Sequence, residues 1–174
     1  RLPGKVMKVI NGVPMIGLLL ARLSKSKKLD QIVVATSIDE KNIALVEHVR
    51  ALGYTCEQGS ENDVLERYLQ VAESNQVDVI VRITGDCPLV DPVLVDRCIE
   101  KFMQLDVDYC SNINPPTYPD GLDVEVIKLS ALKKASENTT TNFDKEHVTP
   151  YIISSKIFSK FNIENNKDLS NLRL

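Results

Sequence analysis

Residues 77–92, VDVIVRITGDCPLVDP, join an unbroken apolar run to a polar loop that contains Gly85 and Asp86. An apolar run of this length, with β-branched residues, is typical of a strand buried on both faces of a parallel sheet. The next stretch, residues 93–105, has apolar positions at helical spacing. We therefore expect a strand, a loop and a helix in succession, which is the repeating unit of an α/β fold.

The same alternation of helix and strand is found on both sides of this stretch. Helices are predicted over residues 14–26, 40–53, 59–75, 130–138 and 146–155, and strands over residues 32–35, 54–58, 106–112, 122–129 and 156–165. Asp39 is suited to cap the second helix, and Ser60 or Asn62 the third. The late strands suggest an antiparallel addition to a parallel sheet that has helices on both faces.

Composition limits the class of protein. A chain of 174 residues can bury a core without staples, so we expect one domain over residues 1–174. With 21 Lys and Arg against 24 Asp and Glu, the net charge is −3, and only SKSKK at 24–28 is locally basic, so nucleic acid is not an expected partner. No apolar run is long enough to span a bilayer. The four cysteines form no CxxC pair, which suggests a reducing, cytoplasmic setting.

Ligands of open α/β sheets bind beyond the carboxyl ends of the strands. Asp86 directly follows the buried strand, where a carboxylate is well placed to hold Mg²⁺. The alternative is that Asp86 forms an Asx turn or caps the helix that begins near Asp91. Both interpretations follow from the same spacing.

Two further acids lie in YPDGLDVEV, residues 118–126. Asp120 and Asp123 flank a glycine turn at the start of a strand in which Leu122, Val124 and Val126 alternate with polar positions. Either acid could bind a ligand, and the alternative is a turn with solvated carboxylates.

The chain begins RLPGKV, a turn with a cation on each side. Gly4 exposes its backbone N–H, the Lys5 ammonium can bind phosphate as a point charge, and Arg1 can add a fork of donors. This arrangement suits a polyphosphate, although the signature GxxxxGK followed by Ser or Thr is absent. The alternative is that both cations are solvated.

Six ordered blocks together resemble one known family. RLPGKV, VVAT, GSENDVLERY, VIVRITGDCPLVDP, YPDGLDVEV and EHVTPYI resemble the cytidylyltransferases of the spore coat polysaccharide biosynthesis protein F type. They are more remotely similar to CMP-sialic acid and CMP-ketodeoxyoctonate synthetases. The resemblance spans nearly the whole chain.

The resemblance implies a Rossmann-like nucleotide-diphospho-sugar transferase fold, with a mixed, mostly parallel sheet flanked by helices. It implies Mg²⁺-dependent transfer of CMP from CTP to a sugar acid, with release of pyrophosphate, in polysaccharide or glycan biosynthesis. It also implies a possible homodimer. Members usually have a strand before RLPGK and a metal-binding Asp after the LRL-like residues, so the first strand and a C-terminal segment of the family fold are expected to lie outside this sequence.

The resemblance also assigns roles to individual residues. Lys5 and Asp86 would be catalytic, with Asp86 as the metal ligand. Nucleotide-binding residues would be Arg1, Gly4, Lys5, Thr36, Ser37, Gly59, Ser60, Asp63 and Arg82. Asp120, Asp123 and His147 would bind the sugar, although Ser60, Asp63 and His147 also suit helix capping or packing.

Two other functions remain open on the same fold. A glycosyltransferase would consume a nucleotide sugar and release a nucleoside diphosphate, and a non-catalytic module would bind a nucleotide sugar without turnover. A related nucleotidyltransferase with another base preference is a third alternative. The identity of the reaction products distinguishes these functions.

Overall fold

Residues 4–174 are described by this computed structural model, and they form eight strands and seven α-helices. The strands are β1 (Val9–Ile10), β2 (Val13–Pro14), β3 (Val33–Ser37), β4 (Thr55–Gly59), β5 (Val79–Arg82), β6 (Tyr109–Ser111), β7 (Glu125–Lys128) and β8 (Lys160–Asn162). The helices are α1 (Met15–Leu23), α2 (Ile43–Ala51), α3 (Val64–Ser74), α4 (Pro92–Leu105), α5 (Leu129–Asn138), α6 (Asn142–His147) and α7 (Pro150–Ser154). The predicted alternation is confirmed over the middle of the chain.

Strand pairing divides the described sheet residues into three sheets. β1 and β2 form an antiparallel hairpin, and β3 pairs with β4 in parallel. The largest sheet has the order β5-β7-β6-β8, in which β7 is antiparallel to both neighbours and β8 is parallel to β6. A cavity of about 1050 Å³, lined mainly by apolar side chains, lies between β3 and β5. The mixed sheet is as expected, but β3 and β5 are not joined in one continuous sheet.

Helices cover both faces of the large sheet. Side chains alternate across a strand, and in β7 Val126 packs with buried residues of α1, α2 and α4, while Ile127 packs with buried residues of α3, α5 and α7. Both the valine and the isoleucine are fully buried. The architecture is therefore the expected α/β fold with a helix layer on each side.

Side-chain hydrogen bonds cap the starts of α3, α4 and α6 but not those of α1, α2, α5 and α7. Asp39 accepts a hydrogen bond from the Lys41 N–H at 2.9 Å, and it caps the 3₁₀ turn Glu40–Asn42 that leads into α2 rather than α2 itself. The cap of α3 is Asp63, which accepts from the Glu66 N–H at 2.9 Å, so the prediction of Ser60 or Asn62 is wrong. The Ser60 hydroxyl instead accepts from the Asp63 N–H at 3.0 Å and shapes the turn that precedes the cap.

Two local features differ from the predictions. The hairpin of β1 and β2 was not predicted, although it turns at Asn11 and Gly12, both with positive φ, as an Asn-Gly turn requires. The helix predicted over residues 146–155 is broken into the end of α6 and α7. Val148 has a φ of 74°, and Pro150 has no N–H to continue the hydrogen-bond pattern of α6.

None of the helices in the described part of the chain is both long enough and apolar enough to cross a membrane.

Candidate functional site

The turn at the start of the described chain meets the loop after β5. Gly4 has a φ of 67°, a conformation that residues with a side chain rarely adopt, and a short 3₁₀ turn follows at Lys5–Met7. This turn places the Lys5 Nζ 2.9 Å from the Asp86 Oδ2, although the two residues are 81 positions apart in the sequence. Both side chains remain partly exposed. The fold thus brings together the two residues predicted to be catalytic.

The ion pair keeps Asp86 charged. The hydrogen bond from the Lys5 ammonium is the main cause of a pKa for Asp86 below its ordinary value, and it outweighs the opposing effect of partial burial. Asp86 is also not the cap of α4, because Asp91 accepts the hydrogen bond from the Val93 N–H at 2.9 Å. The Asp86 carboxylate is therefore ionised and reachable from solvent, as a ligand for a cation requires.

Asp123 lies on the same edge of the sheet as Asp86. Since β7 runs antiparallel to β5, its start lies at the carboxyl end of β5, and Glu125 pairs with Arg82 there. Burial is the main cause of a raised pKa for Asp123, and the negative charges of Asp120, Glu125 and Asp86 add to it. Asp123 therefore lies within electrostatic range of both Asp120 and Asp86.

Asp120 is held by the C-terminal tail. Its side chain forms an ion pair with the Arg173 Nε at 3.2 Å, and its backbone exchanges hydrogen bonds with Leu172 and Leu174. The tail is thereby fixed alongside the turn that carries Asp120 and Asp123.

Replacing Asp123 with asparagine is expected to stabilise the protein at neutral pH. Because the folded-state pKa of Asp123 is raised, its ionisation costs stability as the pH rises from its ordinary pKa of 3.8 through the raised value. An asparagine at this position would carry no charge, so Asp123→Asn should raise Tm by about 2–4 °C at pH 7. The gain should vanish below pH 3.8, where Asp123 is protonated in both states.

Thermal unfolding followed by circular dichroism across this pH range, in the presence of a chelator, measures the effect. A lower Tm for Asp123→Asn at pH 7 would contradict the assignment of an electrostatic cost to this carboxylate.

Arg82 is partly buried and belongs to a polar network. Its Nη1 donates to the Glu125 Oε2 across β5 and β7, and its guanidinium carbon lies 5.9 Å from the centre of the Tyr68 ring. Burial is the largest influence and lowers the pKa of Arg82, but Glu125, Tyr68 and Tyr109 together outweigh it and the pKa lies above its ordinary value. Arg82 is thus charged and fixed. Its predicted contact with the nucleotide remains a prediction.

A second group of predicted residues follows β3 and β4. Thr36 and Ser37 are nearly buried, and the Ser37 hydroxyl accepts a hydrogen bond from Asn42 at 2.8 Å. Ser37 pairs with Gly59 in the sheet, and a Cβ on Gly59 would lie only 3.0 Å from the Arg67 side chain, so this glycine permits the close approach of α3.

Ser60 and Asp63 form the turn between β4 and α3. The Ser60 carbonyl accepts from the Arg67 Nη1 at 2.6 Å, and the Asp63 carboxylate forms an ion pair with Lys145 of α6 at 3.1 Å. Both residues therefore have structural partners, and their roles in binding a nucleotide remain predictions. Arg1 lies outside the described residues.

His147 is exposed at the end of α6, with its ring centre 4.5 Å from that of Phe143. Thr149, two residues further along the chain, is buried and donates its hydroxyl hydrogen to the Glu125 Oε1 at 2.6 Å. This bond links the turn that follows His147 to Glu125, the first residue of β7.

Glu125 and Thr149 were missed as site residues. Glu125 was assigned to the polar face of an alternating strand, which usually faces solvent. It is instead 1% exposed and receives hydrogen bonds from Arg82, Tyr109 and Thr149. Arg82 was the sequence feature that could have indicated a buried Glu125. A buried carboxylate needs a cationic partner, and Arg82 lies in another predicted strand.

Asp86, the predicted magnesium ligand, is a single carboxylate and not part of a cluster of protein ligands within residues 4–174. No group of three or more His, Cys, Asp or Glu side chains within residues 4–174 is arranged to hold a metal ion. Mg²⁺ commonly keeps several waters and takes only one or two protein carboxylates in addition to substrate phosphates. Asp86 supplies such a carboxylate.

A lysine and an ionised aspartate beyond a sheet with helices on both faces are features of an α/β nucleotidyltransferase. The family pattern described as cytidylyltransferase matches residues 1–170. The chain therefore belongs to the cytidylyltransferase family.

Individual relatives agree with this assignment. The chain is 41% identical over 165 residues to an uncharacterized protein of Methanocaldococcus jannaschii, covering 94% of this chain and 67% of the relative. It is 35% identical over 157 residues to the spore coat polysaccharide biosynthesis protein SpsF of Bacillus subtilis, covering 87% of this chain and 64% of that protein. The chain thus spans about two thirds of the length of these curated relatives.

Two further similarities are to a solved structure and to a curated enzyme. A solved cytidylyltransferase from Leptospira borgpetersenii superposes with a TM-score of 0.96 at 33% identity, over 100% of this chain and 74% of that chain. The 3-deoxy-manno-octulosonate cytidylyltransferase of Geobacter metallireducens is 35% identical over 101 residues, which is 57% of this chain and 38% of that protein.

Proposed function

We propose that this protein transfers CMP from CTP to a sugar acid and releases pyrophosphate, in polysaccharide or glycan biosynthesis. The observation that carries the proposal is the contact between the Lys5 ammonium and the Asp86 carboxylate, 2.9 Å apart at the edge of the sheet. Membership of the cytidylyltransferase family supports cytidine as the base. Similarity to a 3-deoxy-manno-octulosonate cytidylyltransferase supports a sugar acid as acceptor.

Each predicted site residue has its own role in the proposed reaction. Lys5, together with Arg1, binds the β- and γ-phosphates and neutralises the charge that develops on the leaving pyrophosphate. The sugar hydroxyl attacks the α-phosphate, the bond to the bridging oxygen breaks, and the hydroxyl proton passes to solvent. Asp120, Asp123 and His147 bind the sugar, and Thr36, Ser37, Gly59, Ser60 and Asp63 lie towards the base and ribose.

Asp86 holds the divalent cation. When bound there, Mg²⁺ supplies positive charge close to the phosphate oxygens. The Lys5 hydrogen bond keeps the pKa of Asp86 low, so the carboxylate needs no deprotonation before it binds the cation. We place this reaction in the cytoplasm, where CTP is available, and expect the enzyme to act as a homodimer.

The first experiment measures pyrophosphate release by the protein at its full natural length. The assay contains Mg²⁺, one of the four nucleoside triphosphates, and a panel of sugar acids that includes 3-deoxy-manno-octulosonate. We expect release with CTP and one class of sugar acid, at least about tenfold faster than with any other nucleotide. Omission of the sugar acid is the control and should abolish release.

The other possible outcomes identify other functions. Release of a nucleoside diphosphate from a nucleotide sugar would indicate a glycosyltransferase. Tight nucleotide binding without any product, across the whole panel, would indicate a binding module. Equal rates with a second nucleotide would contradict the proposed base preference.

A further inference from the structure

Val148 is held in a strained conformation between α6 and α7. Its φ of 74° and ψ of −54° are rare for a β-branched residue, and the Thr149 N–H donates to the His147 carbonyl at 2.9 Å to close a γ-turn. Val148 is also fully buried. Such a conformation persists only when the surrounding contacts impose it, and strained residues of this kind cluster at functional sites.

Glu125 holds Thr149, the residue that directly follows Val148. Its Oε1 accepts hydrogen bonds from the Thr149 hydroxyl at 2.6 Å and from the Tyr109 hydroxyl at 2.7 Å, while its Oε2 faces Arg82. A buried carboxylate is costly unless every oxygen is paired, so the network resists movement of Thr149. The two residues before Thr149 are therefore fixed relative to β7.

The side chains change from exposed to buried at this turn. His147 is exposed, whereas Val148 and Thr149 are 0% and 4% exposed. Glu125 is the first residue of β7, two positions after Asp123, and it faces Arg82 at the end of β5. The network thus joins the turn that follows His147 to the start of β7, two positions after Asp123.

We propose that Thr149 and Glu125 are positioning residues for the acceptor sugar: the Glu125–Thr149 hydrogen bond holds the strained Val148 turn, and this turn sets the position of His147. The inference rests on the proposed function, because His147 is assigned there to the sugar. Neither Thr149 nor Glu125 contacts the reacting atoms. Their effect is on acceptor binding and passes through His147.

The test is a double-mutant cycle between Thr149 and His147. Thr149→Val keeps the branched shape and removes the hydroxyl, and it should raise the KM for the sugar acid at least about tenfold while the KM for CTP stays within about twofold. Thr149→Ser should restore the wild-type values. In a His147→Ala background, Thr149→Val should have no further effect on the acceptor KM, since residues that act as one unit are not additive.

A matched control is available in the preceding loop. The Thr139 hydroxyl is also buried, but it has no hydrogen-bond partner within residues 4–174. Thr139→Val should therefore leave both KM values unchanged. Equal effects of Thr139→Val and Thr149→Val on the acceptor KM, or full additivity in the double variant, would overturn the positioning role.

A second readout is independent of turnover. The His147 ring protons lie close to the Phe143 ring, so their NMR signals should shift in Thr149→Val and return to the wild-type positions in Thr149→Ser. If the wild-type protein releases no pyrophosphate with any acceptor, the proposed function fails, but the NMR comparison still decides whether Thr149 positions His147. Unchanged His147 signals in folded Thr149→Val would overturn the inference.

Discussion

Asp86→Asn is expected to lower the kcat for pyrophosphate release from CTP about a thousandfold. The asparagine has nearly the same shape but carries no charge, so the cation loses its carboxylate ligand and Lys5 loses its ion-pair partner. A metal ion contributes several kcal/mol to charge stabilisation in such reactions, and about 4 kcal/mol corresponds to a factor of about 10³ in rate. The measurement is steady-state pyrophosphate release over a range of Mg²⁺ concentrations.

The matched control is Asp91→Asn in the same loop. Asp91 caps α4 through the Val93 N–H, and asparagine caps helices about as well as aspartate. Asp91→Asn should therefore retain wild-type kcat. A folded Asp86→Asn protein with a kcat close to wild type would refute the assignment of Asp86 as the metal ligand.

Glu125→Gln is expected to destabilise the protein by about 3–5 kcal/mol, the usual cost of removing one partner from a buried ion pair. The substitution leaves Arg82 charged, although its side chain is only 16% exposed and no anion lies opposite it. It also turns an oxygen that accepts hydrogen bonds into an NH₂ group that faces a donor. Urea unfolding followed by fluorescence or circular dichroism gives the free energy of unfolding.

An exposed ion pair in the same sheet provides the comparison. Lys128, the last residue of β7, pairs with Asp106 at 2.8 Å, but the Asp106 side chain is 87% exposed. Asp106→Asn should leave the urea midpoint nearly unchanged, because exposed pairs contribute little. If Glu125→Gln shifted the midpoint no more than Asp106→Asn, the buried pair would not be a principal source of stability.

The parts of the fold that sequence predicts well are those decided by local pattern. The run that becomes β5 is continuous and apolar, and Asp86 follows it directly, so both the buried strand and the polar loop beyond it were predictable. Asp39 was identified as a cap for the same reason, because capping depends on a side chain and a backbone N–H two positions away. The family resemblance assigned catalytic roles to Lys5 and Asp86, but it did not predict their contact, and spacing alone carries no information over 81 residues.

The features that were missed are decided by tertiary contacts. The break at Val148 lies next to Thr149, whose hydrogen-bond partner Glu125 is 24 residues away in the sequence. Glu125 was assigned to a polar face because charge in an alternating strand normally faces water, whereas here both faces of β7 are covered by helices. No local pattern distinguishes a buried, paired glutamate from a solvated one. The α3 cap was missed for a smaller reason, since several adjacent polar residues all suit that position.

The strand order of the large sheet has a consequence for how the chain folds. Its pairings join distant segments: Arg82 and Glu125 are 43 residues apart, and Asp108 and Ser159, at the start of the β6–β8 pair, are 51 apart. Contacts this distant slow folding, because the entropy of closing a long loop is lost before the contact forms. During synthesis β5 cannot pair with β7 until β7 has left the ribosome. We therefore expect the β3–β4 unit with α2, whose contacts are more local, to become protected from hydrogen exchange before the sheet that carries Asp86.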